Sequence, residues 1–390
     1  LTKLQIMAKT IFGLLFLIAN ITWANQVESP AGKRAKSSGL EVIGDNLYLF
    51  WVEQSPSPQI LISRLDKTRF AKPNIVAQPS NLASNWADSG RLFSLSNGEA
   101  YYWWPEKMSP GENGYNLMLT KSIDQLKTWH PLGKINQDSS ATEHGFASLV
   151  EDGGRLRIAC VDGRDTLQGG ASALRSVILS ENQSEELLDT RVCDCCGTSA
   201  VAVKDNILIF YRGRSSEDQR DIQIVKRIDR KWRAPTSLNV DKWKLSGCPM
   251  NGPHASSRGN FVIAGWFTKA FDKSLTKIKI SNDGGLSFQR PIVIDDSKDL
   301  NLGRVGTDMI NEKEAVVSWV RLIPETERAQ LLARKVSSEG KLGNPVVVSE
   351  ISSSKASGFP MTKVFKDEVY FTWTEPNAGI KIEKIPLTKF

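Results

Sequence analysis

Seven times along this chain a polar residue opens a short apolar run that usually ends in an aromatic. The runs begin at Asn46, Glu99, Arg155, Asn206, Asn260, Glu314 and Glu368, spaced 53, 56, 51, 54, 54 and 54 residues apart. Five residues further on stand Trp51, Trp104, Cys160, Tyr211, Gly265 (with Trp266 next), Trp319 and Trp373. A unit repeated at this period cannot bury its apolar face alone and must stack on copies of itself. Each repeat divides into four short runs rich in Val, Ile, Tyr, Phe and Trp, bounded by Gly, Asn, Asp and Pro, as antiparallel strands require. No segment keeps a helical period. The fold expected is therefore all-β, a β-propeller of four-stranded antiparallel blades. The repeat count gives seven blades, with six the alternative if one terminal unit is not a full blade.

In the fifth repeat the strands are expected near His254–Ser257, Phe261–Trp266, Thr276–Ile280 and Pro291–Ile294, and the sixth repeats that pattern. The seventh ends at Phe390 almost without a fourth strand, and Gln26–Arg34 is placed to supply it and close the ring. Ring closure leaves only short strand edges exposed.

Residues 1–24 stand apart. Lys3 and Lys9 precede the apolar run Ile11–Ile18, and small residues reach Ala24. That run is too short to span a bilayer and reads as a secretory signal cleaved near Ala24, leaving 25–390 as one periplasmic or secreted domain without a membrane span. Removing it takes away two lysines and lowers the formal charge from +7 to +5. The Lys and Arg residues are scattered, which argues against nucleic acid as a partner. A small-molecule ligand is expected instead. Composition does not set the oligomeric state.

Ser281-x-Asp283-x-Gly285-x-x-Phe288 matches the Asp box of the sialidase (neuraminidase) superfamily. Ser122–Trp129 is a degenerate copy with Leu126 in place of glycine, and Ser63–Phe70 is more degenerate still. The chain after residue 24 thus resembles a sialidase-like propeller, including uncharacterised secreted bacterial proteins of that kind. In the family the box folds the turn between a blade's third and fourth strands, on the face opposite the active site.

In such a blade, the loop joining strands two and three shares a face with the loop that leads into the next innermost strand. Those loops surround the tunnel mouth, and they are rich in Arg, Asp, Cys and His. The resemblance implies three arginines converging on a substrate carboxylate, an acid for the leaving group and a tyrosine nucleophile. Arg164, Arg212 and Arg304, from different blades, are the arginines expected to converge, with Asp162 or Asp165 as the acid. The family's Arg-Ile-Pro signature and an evident nucleophilic tyrosine are missing, so glycan binding without turnover stays open beside exo-sialidase-like hydrolysis. The alternative for these arginines is pairing with neighbouring aspartates. Trp86 and Trp103 are candidate sugar platforms; the in-register tryptophans are packing residues.

Four of the five cysteines fall on two adjacent lead-in loops: Cys193, Cys195 and Cys196 before blade four, and Cys248 before blade five. Two readings compete. Oxidised, they staple blades, Cys248 with Cys195 or Cys196 and Cys193 with Cys160. Reduced, they are soft ligands for Cu or Zn, with His144 and His254 as candidate co-ligands, or redox-active thiols. Cys160 sits in a tryptophan slot, where a buried thiol is expected. A third functional reading is an interaction scaffold without chemistry. The glycosidase reading needs no cofactor.

Overall fold

A computed structural model describes residues 24–54, 57–83, 85–109, 114–180, 184–297 and 300–390. The expected leader, residues 1–24, lies almost wholly outside them. Seven antiparallel sheets form the blades of one propeller, with almost no helix. Their second strands are Asn46–Glu53, Ala100–Lys107, Arg155–Asp162, Asn206–Arg212, Phe261–Thr268, Glu314–Leu322 and Glu368–Glu375. These are the seven apolar runs of the sequence. The fifth blade's strands, His254–Arg258, Phe261–Thr268, Leu275–Ser281 and Ile292–Asp295, extend the expected ones by a residue or two.

Blade seven is closed from the other end of the chain. Asn25 and Gln26 pair antiparallel with Lys384 and Glu383, and the Val27 N–H donates to the Ile382 carbonyl. The closing segment is therefore Asn25–Val27, at the start of the stretch expected to supply it.

The in-register aromatics are packing residues. Trp51, Trp266 and Trp319 are buried, as is Trp103, which belongs to the core beside Leu117 and Cys160 and offers no sugar platform. Apolar clusters form between neighbouring sheets; Phe50 and Tyr102 of blades one and two meet edge to face with ring centroids 5.6 Å apart. Aromatic pairs of this kind add to the stabilisation from burial.

The Asp box folds the turn expected of it, between strands three and four of blade five. Ser281 Oγ accepts the Gly285 N–H at 2.8 Å and Asp283 accepts the Ser287 N–H at 3.0 Å, with Gly285 in the left-handed region at φ 85°. In blade two Leu126 takes the same place at φ 68°, bonded to Ser122 Oγ. Leucine carries strain there, offset by its burial against Tyr48 and Tyr102.

The lead-in loops bond to the loops between strands two and three, which places both sets on one face. The Cys193 N–H donates to the Arg212 carbonyl, Gly163 N–H to Glu143, Arg220 N–H to Trp243 and Ala83 N–H to Pro105. No helix among the described residues is long and apolar enough to cross a membrane.

Candidate functional site

Three constellations occupy this face. The first is a cleft of about 300 Å³ where the lead-in loops of blades seven, one and two meet, lined by Lys36–Ser38, Trp86, Ser89, Arg91, Ala356–Phe359 and Thr374. None of the described residues lining it carries a carboxylate. Trp86 and Phe359 stack within 7° of parallel, centroids 5.7 Å apart. The Arg304 guanidinium lies 5.6 Å from the Trp86 ring centre and Lys355 Nζ 6.0 Å from it.

Arg304 is shaped for this position. It sits at φ 52° after Gly303 at φ 70°, where the inner strand of blade six shifts register, and its N–H donates to Asn251 Oδ1. Irregular strands re-aim side chains in this way. Nη2 donates to the Ser353 and Ser354 carbonyls at 3.1 Å, while Nη1 is buried with no hydrogen-bond partner among the described residues. Burial lowers the Arg304 pKa to about 10, and burial likewise pulls Arg91 and Lys36 below their ordinary ranges. The cleft thus gathers under-solvated positive charge.

The second constellation is an ion-pair network in blade three. Arg164 donates to both oxygens of Asp162 and to both oxygens of Glu185. Arg175 reaches Glu185 at 3.0 Å and Asp165 at 3.1 Å. His144, fully buried, places Nδ1 2.9 Å from the Tyr115 carbonyl and Nε2 3.0 Å from Asp138, with Asp162 at 3.7 Å. Asp138, His144 and Asp162 have the spacing of a metal triad, but Arg164 Nη2 already stands 3.3 Å from Asp138 and 2.6 Å from Asp162. Nearby, buried Asp88 accepts from the Phe146 N–H at 2.9 Å and the Tyr115 hydroxyl at 3.0 Å; burial pushes its carboxyl up to about 6.

The third is the cysteine cluster. The loops before blades four and five meet backbone to backbone: a Cβ on Gly252 would lie 2.1 Å from the Gly197 carbonyl oxygen. Only glycine permits that approach. Cys195 and Cys248 are joined by a disulfide with Cα atoms 6.1 Å apart. Cys193 Sγ lies 2.9 Å from Cys196 Sγ and 3.7 Å from Cys195 Sγ. Arg220, almost fully buried, donates through Nη1 to Cys193 Sγ at 3.3 Å. The bond with Cys196 holds the Cys193 thiol low, at about 7, helped by the Cys195 N–H and by Arg212 and Arg220; burial pushes Cys196 up.

The blade-joining bond is thus Cys195–Cys248, one of the pairings expected. Cys160 is not joined to Cys193; it is a buried free thiol raised by burial. Neither histidine joins the sulfurs among the described residues. His254 accepts the Thr307 N–H on Nδ1, and burial lowers its pKa to about 4. Of the three arginines expected to converge, Arg164 is held by carboxylates. Arg212 is buried, donating to the Asn251, Arg220 and Phe267 carbonyls and facing Trp243. Arg304 alone comes near the cleft, lying behind its lining with the guanidinium 5.6 Å from the Trp86 ring centre. Asp162 is enclosed by Arg164 and His144, and Asp165 pairs with Arg175. Sequence reasoning missed Arg91, Phe359 and Lys36. The repeat itself could have found them, since they open blades two, seven and one.

No family model matches the chain, and a search of curated protein sequences returns no significant match. Solved structures share its ring. A GH93 α-L-arabinofuranosidase of Fusarium graminearum, in complex with arabinobiose, superposes with a TM-score of 0.50 at 12% identity, over 80% of this chain and 96% of that one. A protein of unknown function from Dyadobacter fermentans gives 0.49 at 12%, over 78% and 96%. The intramolecular trans-sialidase from Ruminococcus gnavus gives 0.45 at 8%, over 91% and 95%. The chain is accordingly similar in fold to the propeller of the GH93 glycoside hydrolase.

Proposed function

We propose that this protein recognises an acidic glycan in the cleft bounded by Trp86, Arg91 and Phe359, with Arg304 as the anchor for the ligand's carboxylate. The observation that carries this reading is the buried, unpartnered Nη1 of Arg304. A buried charged donor without an acceptor costs about 1–3 kcal/mol or more, and a carboxylate is the acceptor a guanidinium holds best. Its strained backbone supports the same reading, because strain of this kind concentrates at functional positions. A saccharide ligand also accords with the arabinobiose in the arabinofuranosidase that shares this ring.

The cleft favours binding over hydrolysis. Glycoside hydrolysis ordinarily uses two carboxyl groups flanking the scissile bond, and none lines this cleft among the described residues. An array of acidic and neutral glycans, probed with the wild type and Arg304→Met, tests the proposal. Acidic glycans should be retained by the wild type and released by the variant. Equal retention of neutral sugars, or no loss in the variant, would contradict it. A fluorogenic sialoside and a fluorogenic arabinoside should show no turnover above buffer.

A further inference from the structure

The cysteine cluster is a feature apart from that cleft. The Cys193, Cys195 and Cys196 sulfurs lie within 4.8 Å of one another, and Cys248, from the loop on the adjacent blade, is joined to Cys195 at their edge. The loops are locked there by the Gly197–Gly252 contact and by the bond from the Cys193 N–H to the Arg212 carbonyl. We propose that, with the Cys195–Cys248 bond reduced, Cys193, Cys195, Cys196 and Cys248 form a four-sulfur site for a single soft d10 cation, Zn(II) or Cu(I).

The donors around the sulfurs argue for thiolates. Buried Arg220 donates through Nη1 to Cys193 Sγ at 3.3 Å, and Cys193 Sγ stands 2.9 Å from Cys196 Sγ. Neutral thiols and disulfides accept weakly and call for no such shell, whereas metal thiolates are oriented and tuned by it. Charge balance points the same way. Arg220 is almost fully buried, its nearest carboxylates being Asp218 at 3.4 Å and Asp194 at 3.8 Å, and buried Arg212 lies beside the same sulfurs. Arg220 has those two carboxylates as partial partners, whereas Arg212 meets only carbonyls and the Trp243 ring among the described residues. Four thiolates around Zn(II) carry a net charge of about −2 and would match them. Cys248 is exposed, which gives an ion and a reductant access from the solvent side. Such soft ligands select Zn(II) or Cu(I) over Mg(II) or Ca(II).

The chemistry balances with a dithiol as reductant. Its two thiols pass two electrons and two protons to the Cys195–Cys248 bond, giving two cysteine thiols and the reductant's own disulfide. The metal then displaces the thiol protons, up to four per ion, into solution.

The test uses the whole protein. Thiol titration should count three free cysteines before treatment with a dithiol and all five after it. The reduced protein, freed of reductant without oxygen, is then titrated with Zn(II), with Cu(I) and with Co(II) as a spectroscopic stand-in. One equivalent of Zn(II) or Cu(I) should bind, and Co(II) should give intense thiolate-to-metal charge-transfer bands. Cys160→Ala should bind as the wild type does. Cys196→Ser should lose the ion, and Arg220→Met should weaken it by about 10–100-fold. If a variant does not fold, the wild-type Co(II) spectrum decides alone. A five-thiol protein that takes up neither ion, or a Co(II) spectrum without sulfur bands, would overturn the proposal. Either result leaves the glycan measurements untouched.

Discussion

Gly252→Ala is the sharpest structural perturbation the site offers. A methyl there would sit 2.1 Å from the Gly197 oxygen, more than an ångström inside ordinary contact, and 2.8 Å from its carbon and nitrogen. All three obstacles are backbone, so neither a rotamer change nor a flexible side chain can relieve the clash. The two cysteine loops must separate. Overpacking of this kind costs about 1–3 kcal/mol, which lowers the melting temperature by about 2–4 °C per kcal/mol in a large domain. Gly197→Ala is the control on the opposite side of the same contact. Its Cβ would meet nothing within 4 Å, so it should be neutral or stabilise by up to about 1 kcal/mol through the unfolded chain. Calorimetric or fluorescence melting of the two variants checks this. Equal melting temperatures, or a more stable Gly252→Ala, would refute the claim that these loops are held backbone to backbone.

Further expectations concern buried charge and the turns. Asp88, raised to about 6 by burial, holds its proton more tightly folded than unfolded. Its contribution to stability is therefore present below about pH 4 and lost as pH rises to 6, at most about 3 kcal/mol. His254, lowered to about 4, has the opposite sign: its contribution is present above about 6.5 and lost as pH falls to 4. The two largely offset each other in the wild type. Denaturant unfolding across this range should show Asp88→Asn losing stability toward acid and His254→Gln gaining it; parallel profiles would exclude both assignments. Gly285→Ala should destabilise by about 2–4 kcal/mol, because φ is 85° and a Cβ would meet Leu208 Cδ1 at 2.1 Å. Leu126→Gly, at the matching turn, should also destabilise, by about 1–2 kcal/mol, since the buried side chain outweighs the strain it imposes; a more stable variant would reverse that ranking.

The ring was legible because its signal is local and repeated. Each of the seven runs is a predominantly apolar stretch, buried on both faces as a strand between stacked blades must be, and the Asp box bonds to itself within eight residues. Cys195–Cys248 was legible as one of two pairings, because both cysteines lie on lead-in loops of neighbouring blades. The state of the arginines was not. Arg212 is satisfied by the Asn251 and Phe267 carbonyls, 39 and 55 residues away. Arg164 is satisfied by Glu185, 21 residues away on the fourth strand of its blade. Whether a guanidinium is spent or available depends on acceptors brought by other elements, which no spacing encodes. The cleft was missed for a related reason. Arg91 and Phe359 belong to the loops on either side of the ring's closure, far apart in sequence.

The reading of the cleft rests on a charge-to-carboxylate contact, and a double comparison measures it. N-acetylneuraminic acid and its carboxyl-reduced alcohol are titrated calorimetrically into wild type and Arg304→Met. A guanidinium–carboxylate bond worth about 1.5–3 kcal/mol predicts that wild type prefers the acid by roughly tenfold or more, and that the variant shows no preference. The same preference in both proteins, or none in either, would contradict it.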